Sequence, residues 1–266
     1  RILVFMAMDL YDCAMTTRLE KKKTFFLPFN QGSNGAGIDG GAGNPPVKGD
    51  YVTSYVWRNV LQKDKFLDIL QKFISFIEET EQVKQANGTV KEVRKKKIIF
   101  PRYHQLDVVR KLIAHVQEAG TGHNYLIQHS AGSGKSNSIA WMAYRLANLH
   151  NEGNKPMFHS VVVVTDRRVL DSQLQSTIDG FEHKKGLVRL IDDKKTSKDL
   201  RDALNDEIRI IVTTLQKFPV IFDEVDKSKK KNFAVIVDEA HSSQTGDSAM
   251  KLKIALADTA DALKEY

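Results

Sequence analysis

The stretch Tyr125-Leu-Ile-Gln-His-Ser-Ala-Gly-Ser-Gly-Lys-Ser136 decides the fold. Glycines at 132 and 134 let the backbone curl, so that successive N–H groups point at phosphate oxygens. Ala131 and Ser133 complete that cradle. Lys135 would reach the β- and γ-phosphates of a nucleoside triphosphate, and the Ser136 hydroxyl would sit on Mg2+. The apolar Tyr125-Leu126-Ile127 reads as the strand feeding the loop. Ile139, Met142, Ala143 and Leu146 recur behind it at helical spacing. A helix starting there adds partial positive charge at its N-terminus. His129 stands where the common pattern has its first glycine. Strand, glycine loop and helix in that order predict phosphate binding, whereas a chance Gly-Ser turn has no need of those flanks.

Further along, Phe233-Ala-Val-Ile-Val-Asp-Glu-Ala-His241 joins five apolar residues to two carboxylates. The apolar run reads as a buried strand. Asp238 at its end would hold Mg2+, and Glu239 would orient and deprotonate the attacking water, which makes the reaction hydrolysis. His241 is placed to sense both the γ-phosphate and whatever the protein grips. Between these motifs, helical and apolar segments alternate, with strands expected near 124–128, 159–165, 187–191, 208–213 and 233–238. A helix is expected from Tyr103 to Ala119, with Gly120 as its stop. Such alternation predicts an α/β fold, a parallel sheet with flanking helices, whose ligands bind at the carboxyl ends of strands. The expected domain, RecA-like in its resemblance to P-loop ATPases, covers residues 96–266 and follows a smaller mixed connector over 1–95.

The two motifs resemble those of superfamily-two helicases and translocases that carry an Asp-Glu-Ala-His box. Phe100-Pro-Arg-Tyr-His-Gln105 is similar to the adenine-reading element of that superfamily. The resemblance implies that Gln105 pairs with adenine, as amide side chains can, and that Arg102 helps hold the base. Val161-Val-Val-Val-Thr-Asp-Arg-Arg-Val-Leu-Asp-Ser-Gln173 and Thr213-Thr-Leu-Gln-Lys-Phe218 resemble the next motifs. They imply that Asp166, Arg167, Thr213 and Thr214 grip the nucleic-acid backbone rather than read bases. Upstream, Met15-Thr-Thr17, Thr24-Phe-Phe-Leu-Pro-Phe-Asn30, Gly41-Ala-Gly-Asn-Pro45 and Thr53-Ser-Tyr-Val-Trp57 are similar to one family, the restriction (R, motor) subunit of type I restriction–modification enzymes. Its phosphate loop also tends to begin with His. That resemblance implies ATP-dependent translocation of double-stranded DNA coupled to cleavage, with methylation and specificity subunits as partners. It implies a nuclease core preceding Met15 that is missing from this chain, and a second motor lobe that is absent. The 266 residues alone are then expected to hydrolyse ATP poorly, since arginines of that lobe complete the site.

Two other readings use the same residues: a generic DNA or RNA helicase, and a nucleotide-binding switch that does not act on nucleic acid. Composition favours a polyanionic partner without requiring one, since 40 Lys+Arg against 33 Asp+Glu give a net charge of +7. The basic runs Lys21–Lys23, Arg94–Lys97 and Lys227 with Lys229–Lys231 read as solvated surface stretches. Cys13 is the single cysteine, which excludes an intrachain disulfide and suits the cytoplasm. No apolar run of about 18 residues is present, so no membrane-spanning segment is expected. Gly35-Ala-Gly-Ile-Asp-Gly40 matches a dinucleotide fingerprint but neither follows a strand nor opens a helix. It lies in a glycine-dense stretch, 31–46, expected to be mobile because it has too few apolar residues to pack. Phe66, Ile69, Leu70, Phe73, Ile74 and Ile77 fall on one helical face. Residues 82–97, with Asn87-Gly88 as a turn, suggest a hairpin or linker. Glu20-Lys21-Lys22, where no apolar strand carries Glu20, and Asp192-Asp193-Lys194-Lys195, which follows an apolar run, match the short acidic–lysine pattern of metal-dependent nucleases, but matches of two residues are common by chance. The eight histidines show no zinc-ligand spacing.

Overall fold

The computed structural model describes residues 2–84, 90–130, 132–165, 174, 177–181, 186–191, 195–214 and 231–238. The chain divides into two compact units, Arg1–Lys111 and Leu112–Tyr266.

In the second unit, four apolar runs become four strands: β6 Ser160–Thr165, β7 Val188–Leu190, β8 Ile210–Thr214 and β9 Phe233–Val237. They form one sheet in the order β7-β8-β6-β9, and every pairing is parallel. β6 lies in the middle, and Val161 to Val164 are completely buried. That explains why the run shows no polar alternation: a parallel strand covered on both faces has no wet side. Val162 and Val164 pack with Ile211 and Ile191 against Leu200, Ala203 and Leu204. The last three belong to helix α4, Ser197–Asn205. Each buried valine stabilises the fold by at most about 1.5–3 kcal/mol. Asp199 starts α4 by accepting from the Thr196 amide at 2.7 Å and the Thr196 hydroxyl at 2.8 Å. Those bonds, the amide first, hold its carboxyl below the usual carboxylate range. Helix α3, Lys135–Ala147, packs on β6, β8 and β9.

The expected strand at 124–128 does not form. A strand exists only where a neighbour completes its ladder, and none of the described strands takes this segment into its ladder. Leu126 is 81% exposed. Tyr125 is held instead by α2, Tyr103–Ala119, through its hydroxyl at 2.9 Å from His115 Nδ1. The basic run at 229–231 also differs from expectation at its last member. The Lys231 ammonium is buried and bonds the Asn205 carbonyl at 3.0 Å, which closes the C-terminal end of α4.

The first unit opens with an antiparallel sheet of β1 Phe5–Met8, β2 Cys13–Thr16 and β3 Leu27–Pro28, in that order. Asp9 forms the β1–β2 turn by accepting from the amides of Tyr11 and Asp12, both at 2.8 Å. Behind the sheet, Phe29 packs against Phe100 and edge-on against Tyr103, with ring centroids 6.3 and 5.7 Å apart. The Tyr55 hydroxyl donates to the Phe29 carbonyl at 2.9 Å. Burial pushes the Cys13 thiol up to about 11, so this cysteine packs rather than reacts.

Helix α1 runs from Lys63 to Lys72, and a hairpin of β4 Ser75–Lys84 and β5 Val90–Ile99 follows. The helical face expected to reach Ile77 stops earlier. Phe73 caps α1, and Ile77 pairs with Lys97 in the ladder. The β-branched pair Ile98-Ile99 opposite gives this stretch a strand partner that outweighs its helical spacing. Arg110 bonds Asp68 at 3.2 Å and stacks over Phe73 at 5.9 Å. With Phe100 and Tyr103 on Phe29, these contacts keep the first half of α2 in the first unit, so the division falls inside that helix.

The glycine-dense stretch is braced rather than loose. The Gly32 amide donates to the Gly43 carbonyl at 2.8 Å, and the Ser33 amide to the Gly41 carbonyl at 2.9 Å. The Gly41 amide donates back to Ser33 Oγ at 2.8 Å, and Asn34 Nδ2 reaches the Asp39 carbonyl at 2.6 Å. Asn44 ties the loop's base to the Gln31 amide and the Tyr11 carbonyl, each at 2.9 Å. Lys111 holds its far side by donating to the Ala36 carbonyl at 3.0 Å. Hydrogen bonds do here what an apolar core does elsewhere.

Candidate nucleotide-binding site

The glycine loop has the backbone its sequence requires. Gly132 and Gly134 sit in the left-handed region, at φ 73° and 81°, with Ser133 between them. The Ser133 amide donates to the Ser130 carbonyl at 3.3 Å, and Gly134 caps α3. Alternating left-handed positions turn consecutive amides toward one side of the chain, which makes a concave anion seat. Lys135 and Ser136 are the first residues of α3, at the positive end of its dipole.

Arg209 fixes the direction of α3. It stands just ahead of β8, and its guanidinium donates to the carbonyls of Phe158 at 2.8 Å and His159 at 3.0 Å, just ahead of β6. It also donates to the carbonyl of Ala147, the last residue of α3. The His159 and Asn232 backbones meet at 2.8 Å, so β9 starts at the same level. The C-terminal end of α3 therefore lies at the amino ends of the strands, and α3 runs antiparallel to them. Thirteen residues of helix span about 20 Å, and a six-residue strand spans about the same. The amino end of α3, with the glycine loop, thus reaches the carboxyl ends of β6, β8 and β9. Thr165, Thr213, Thr214 and Asp238 lie at that end. The Asp238 amide is fixed by the Val164 carbonyl at 2.9 Å, and its side chain is only partly buried.

Several expected site residues are brought together at this edge: Gly132, Ser133, Gly134, Lys135, Ser136, Thr213, Thr214 and Asp238. Thr213 and Thr214 are buried here, and Thr213 Oγ1 has no hydrogen-bond partner among the described residues. Ala131, Asp166, Arg167, Glu239 and His241 lie outside the described residues. Arg102 and Gln105 belong to the first unit. Gln105 is 2% exposed, and its amide oxygen accepts from the Arg102 amide at 2.8 Å, capping the first turn of α2. His129 lies below its ordinary imidazole range, first because burial disfavours the cation and then because Lys135 repels it. A neutral ring there adds no second cation beside Lys135.

The residue that sequence reasoning missed is Arg209. Its only signal is an arginine directly ahead of an apolar strand, a position where exposed ion pairs are as common as structural clamps.

The profile of the SWI2/SNF2 ATPase family matches residues 104–261, from α2 through the Asp-Glu-Ala-His segment. The chain belongs to the SWI2/SNF2 ATPase family. Two relatives of this SWI2/SNF2 ATPase have longer chains. It is 30% identical over 193 residues to the type I restriction enzyme HindI endonuclease subunit of Haemophilus influenzae, covering 70% of this chain and 17% of that one. It is 31% identical over 151 residues to the type I restriction enzyme SsaAORF53P endonuclease subunit of Staphylococcus saprophyticus, covering 55% of this chain and 15% of that one. The resemblance to restriction motor subunits drawn from the sequence motifs is borne out by these similarities. Among solved structures, the UvsW helicase from bacteriophage T4 aligns over 74% of this chain and 57% of its own, at 16% identity and a TM-score of 0.44. Among the described residues, no helix is long and apolar enough to cross a membrane.

Proposed function

We propose that this chain is part of the motor subunit of a type I restriction endonuclease, and that it binds and hydrolyses ATP to translocate double-stranded DNA. The observation that carries the ATPase site is the shared edge: a left-handed glycine cradle, the amino end of α3 and Asp238 lie at the same end of one parallel sheet. Lys135 would bind the β- and γ-phosphates. Ser136 and Asp238 supply a hydroxyl and a carboxylate, hard oxygen donors of the kind that suit Mg2+. Mg2+ would neutralise phosphate charge there. Glu239, next in sequence after Asp238, would orient water, and His241 would sense the γ-phosphate. Arg102 and Gln105 would hold adenine after Gln105 exchanges its bond to the Arg102 amide for one to the base. Asp166, Arg167, Thr213 and Thr214 would contact the DNA backbone. Methylation and specificity subunits would be its partners, in the cytoplasm. The similarity to two restriction endonuclease subunits favours this reading over a generic helicase or a switch.

The test is ATP hydrolysis by the full-length protein with and without duplex DNA. DNA should raise the rate, and Lys135→Ala should abolish it. Equal rates with and without duplex would remove the translocase reading. A near-wild-type rate for Lys135→Ala would remove the site itself.

A further inference from the structure

We propose that a strand from the part of the full-length protein outside these 266 residues pairs with the outer edge of β1. The pairing would run through the backbone groups of Met6 and Met8.

The register decides which groups face outward. Phe5 pairs with Thr16, Met6 with Met15, Ala7 with Ala14 and Met8 with Cys13. In an antiparallel ladder, hydrogen-bonded and non-bonded pairs alternate. The Asp9 amide donates to the Asp12 carbonyl at 3.1 Å, so pairs 9–12, 7–14 and 5–16 are the bonded ones. The other side of β2 agrees. The Cys13 carbonyl accepts from the Phe29 amide at 2.8 Å, and the Cys13 amide donates to Asn30 Oδ1 at 2.7 Å, both away from β1. The N–H and C=O groups of Met6 and Met8 therefore point away from β2. β1 is the outermost strand on that side among the described residues.

The composition of this edge is wrong for water. Ile2-Leu-Val-Phe-Met-Ala-Met8 carries no charge and no proline. Exposed edges are ordinarily blunted by lysine, proline or a bulge, because bare ladder groups recruit another strand. Ile2 is 60% and Met8 48% exposed. Strands of four, four and two residues also make a small sheet. The chain covers 17% and 15% of its two restriction-subunit relatives, so related proteins hold ample chain from which a strand can come. The incoming strand should be apolar on the side that covers Met6 and Met8, as strand addition requires. This proposal rests on the reading of the chain as part of a longer restriction subunit, and not on the ATPase site.

Residue-resolved hydrogen exchange on the full-length protein tests it. Ala7, bonded to β2, serves as the internal reference. Met6 and Met8 should exchange within about tenfold of Ala7, at every protein concentration. Exchange of Met6 and Met8 at the rate of an unstructured peptide would overturn the proposal. Protection that vanishes on dilution would also overturn it, since the occupant would then be a second copy. Met6→Pro removes one outward amide and leaves the β1–β2 bonds in place. It should speed exchange at Met8 by about tenfold while Ala7 stays protected. An unchanged Met8 rate in that variant would sink the idea. Should the variant fail to fold, the wild-type comparison of Met6 and Met8 with Ala7 still decides.

Discussion

Arg209→Met would remove the clamp that sets the direction of α3. In the structure one guanidinium serves three carbonyls, those of Ala147, Phe158 and His159. Each bond contributes about 1 kcal/mol net, because water partly replaces a lost donor at a half-buried site. The expected loss is then about 3 kcal/mol, and methionine keeps most of the apolar stem. For a chain of this size, about 2–4 °C of melting temperature accompanies each kcal/mol, so the midpoint should fall by about 6–12 °C. Urea denaturation should report the same loss as a lower midpoint with an unchanged slope. Arg209→Lys should recover part of it, because an ammonium can reach some of these carbonyls but lacks the planar fork. Nucleotide affinity should weaken in parallel, since the loop hangs from the far end of the same helix. A loss of stability below about 0.5 kcal/mol, the range of ordinary surface substitutions, would refute the assignment of Arg209 as the clamp.

Two further outcomes follow from groups away from that clamp. The depressed imidazole of His129 means that the unfolded chain takes up its proton more readily than the folded one. Its contribution is therefore undiminished above the ordinary value of 6.5, and stability falls as pH drops below that value toward the lower folded one. His129→Asn should flatten urea midpoints across that window; an equal slope in the variant would show that another group titrates. In the braced loop, a Cβ added at Gly40 would lie 2.7 Å from Ser33 Oγ and 3.0 Å from Asn34 Nδ2. Gly40→Ala should displace both side chains and cost about 1–2 kcal/mol in thermal or chemical unfolding. No change would mean that these two bonds do not hold the loop.

The sheet was legible because buried parallel strands leave an unmixed apolar run, as at Val161–Val164 and Phe233–Val237. The glycine cradle was legible because its left-handed positions leave few residues to choose from. Tyr125-Leu126-Ile127 misled for a physical reason: apolar character says that a segment can enter a sheet, while only a neighbour puts it there. Ile77 misled because helical spacing and strand pairing competed, and the ladder to Lys97 won. The glycine stretch is too poor in apolar residues to pack, and its hydrogen-bonded braces depend on Ser33, Asn34 and Asn44 meeting backbone groups five to 33 residues away. Such meetings leave no periodic trace. Gln105 shows the same limit on a smaller scale, since its type suits a base and a helix cap equally.

The buried ammonium of Lys231 changes how the surplus of cations should be counted. It closes α4, just as Arg209 clamps three carbonyls and Arg110 spans Asp68 and Phe73. Each is counted among the cations in the formula and is already held by the protein's own oxygens or rings. The count of 40 Lys+Arg therefore overstates the cations that the surface offers to a polyanion. If nucleic acid binds, the number of counterions released should track the cations left facing solvent, and its salt dependence should be gentler than the formula suggests.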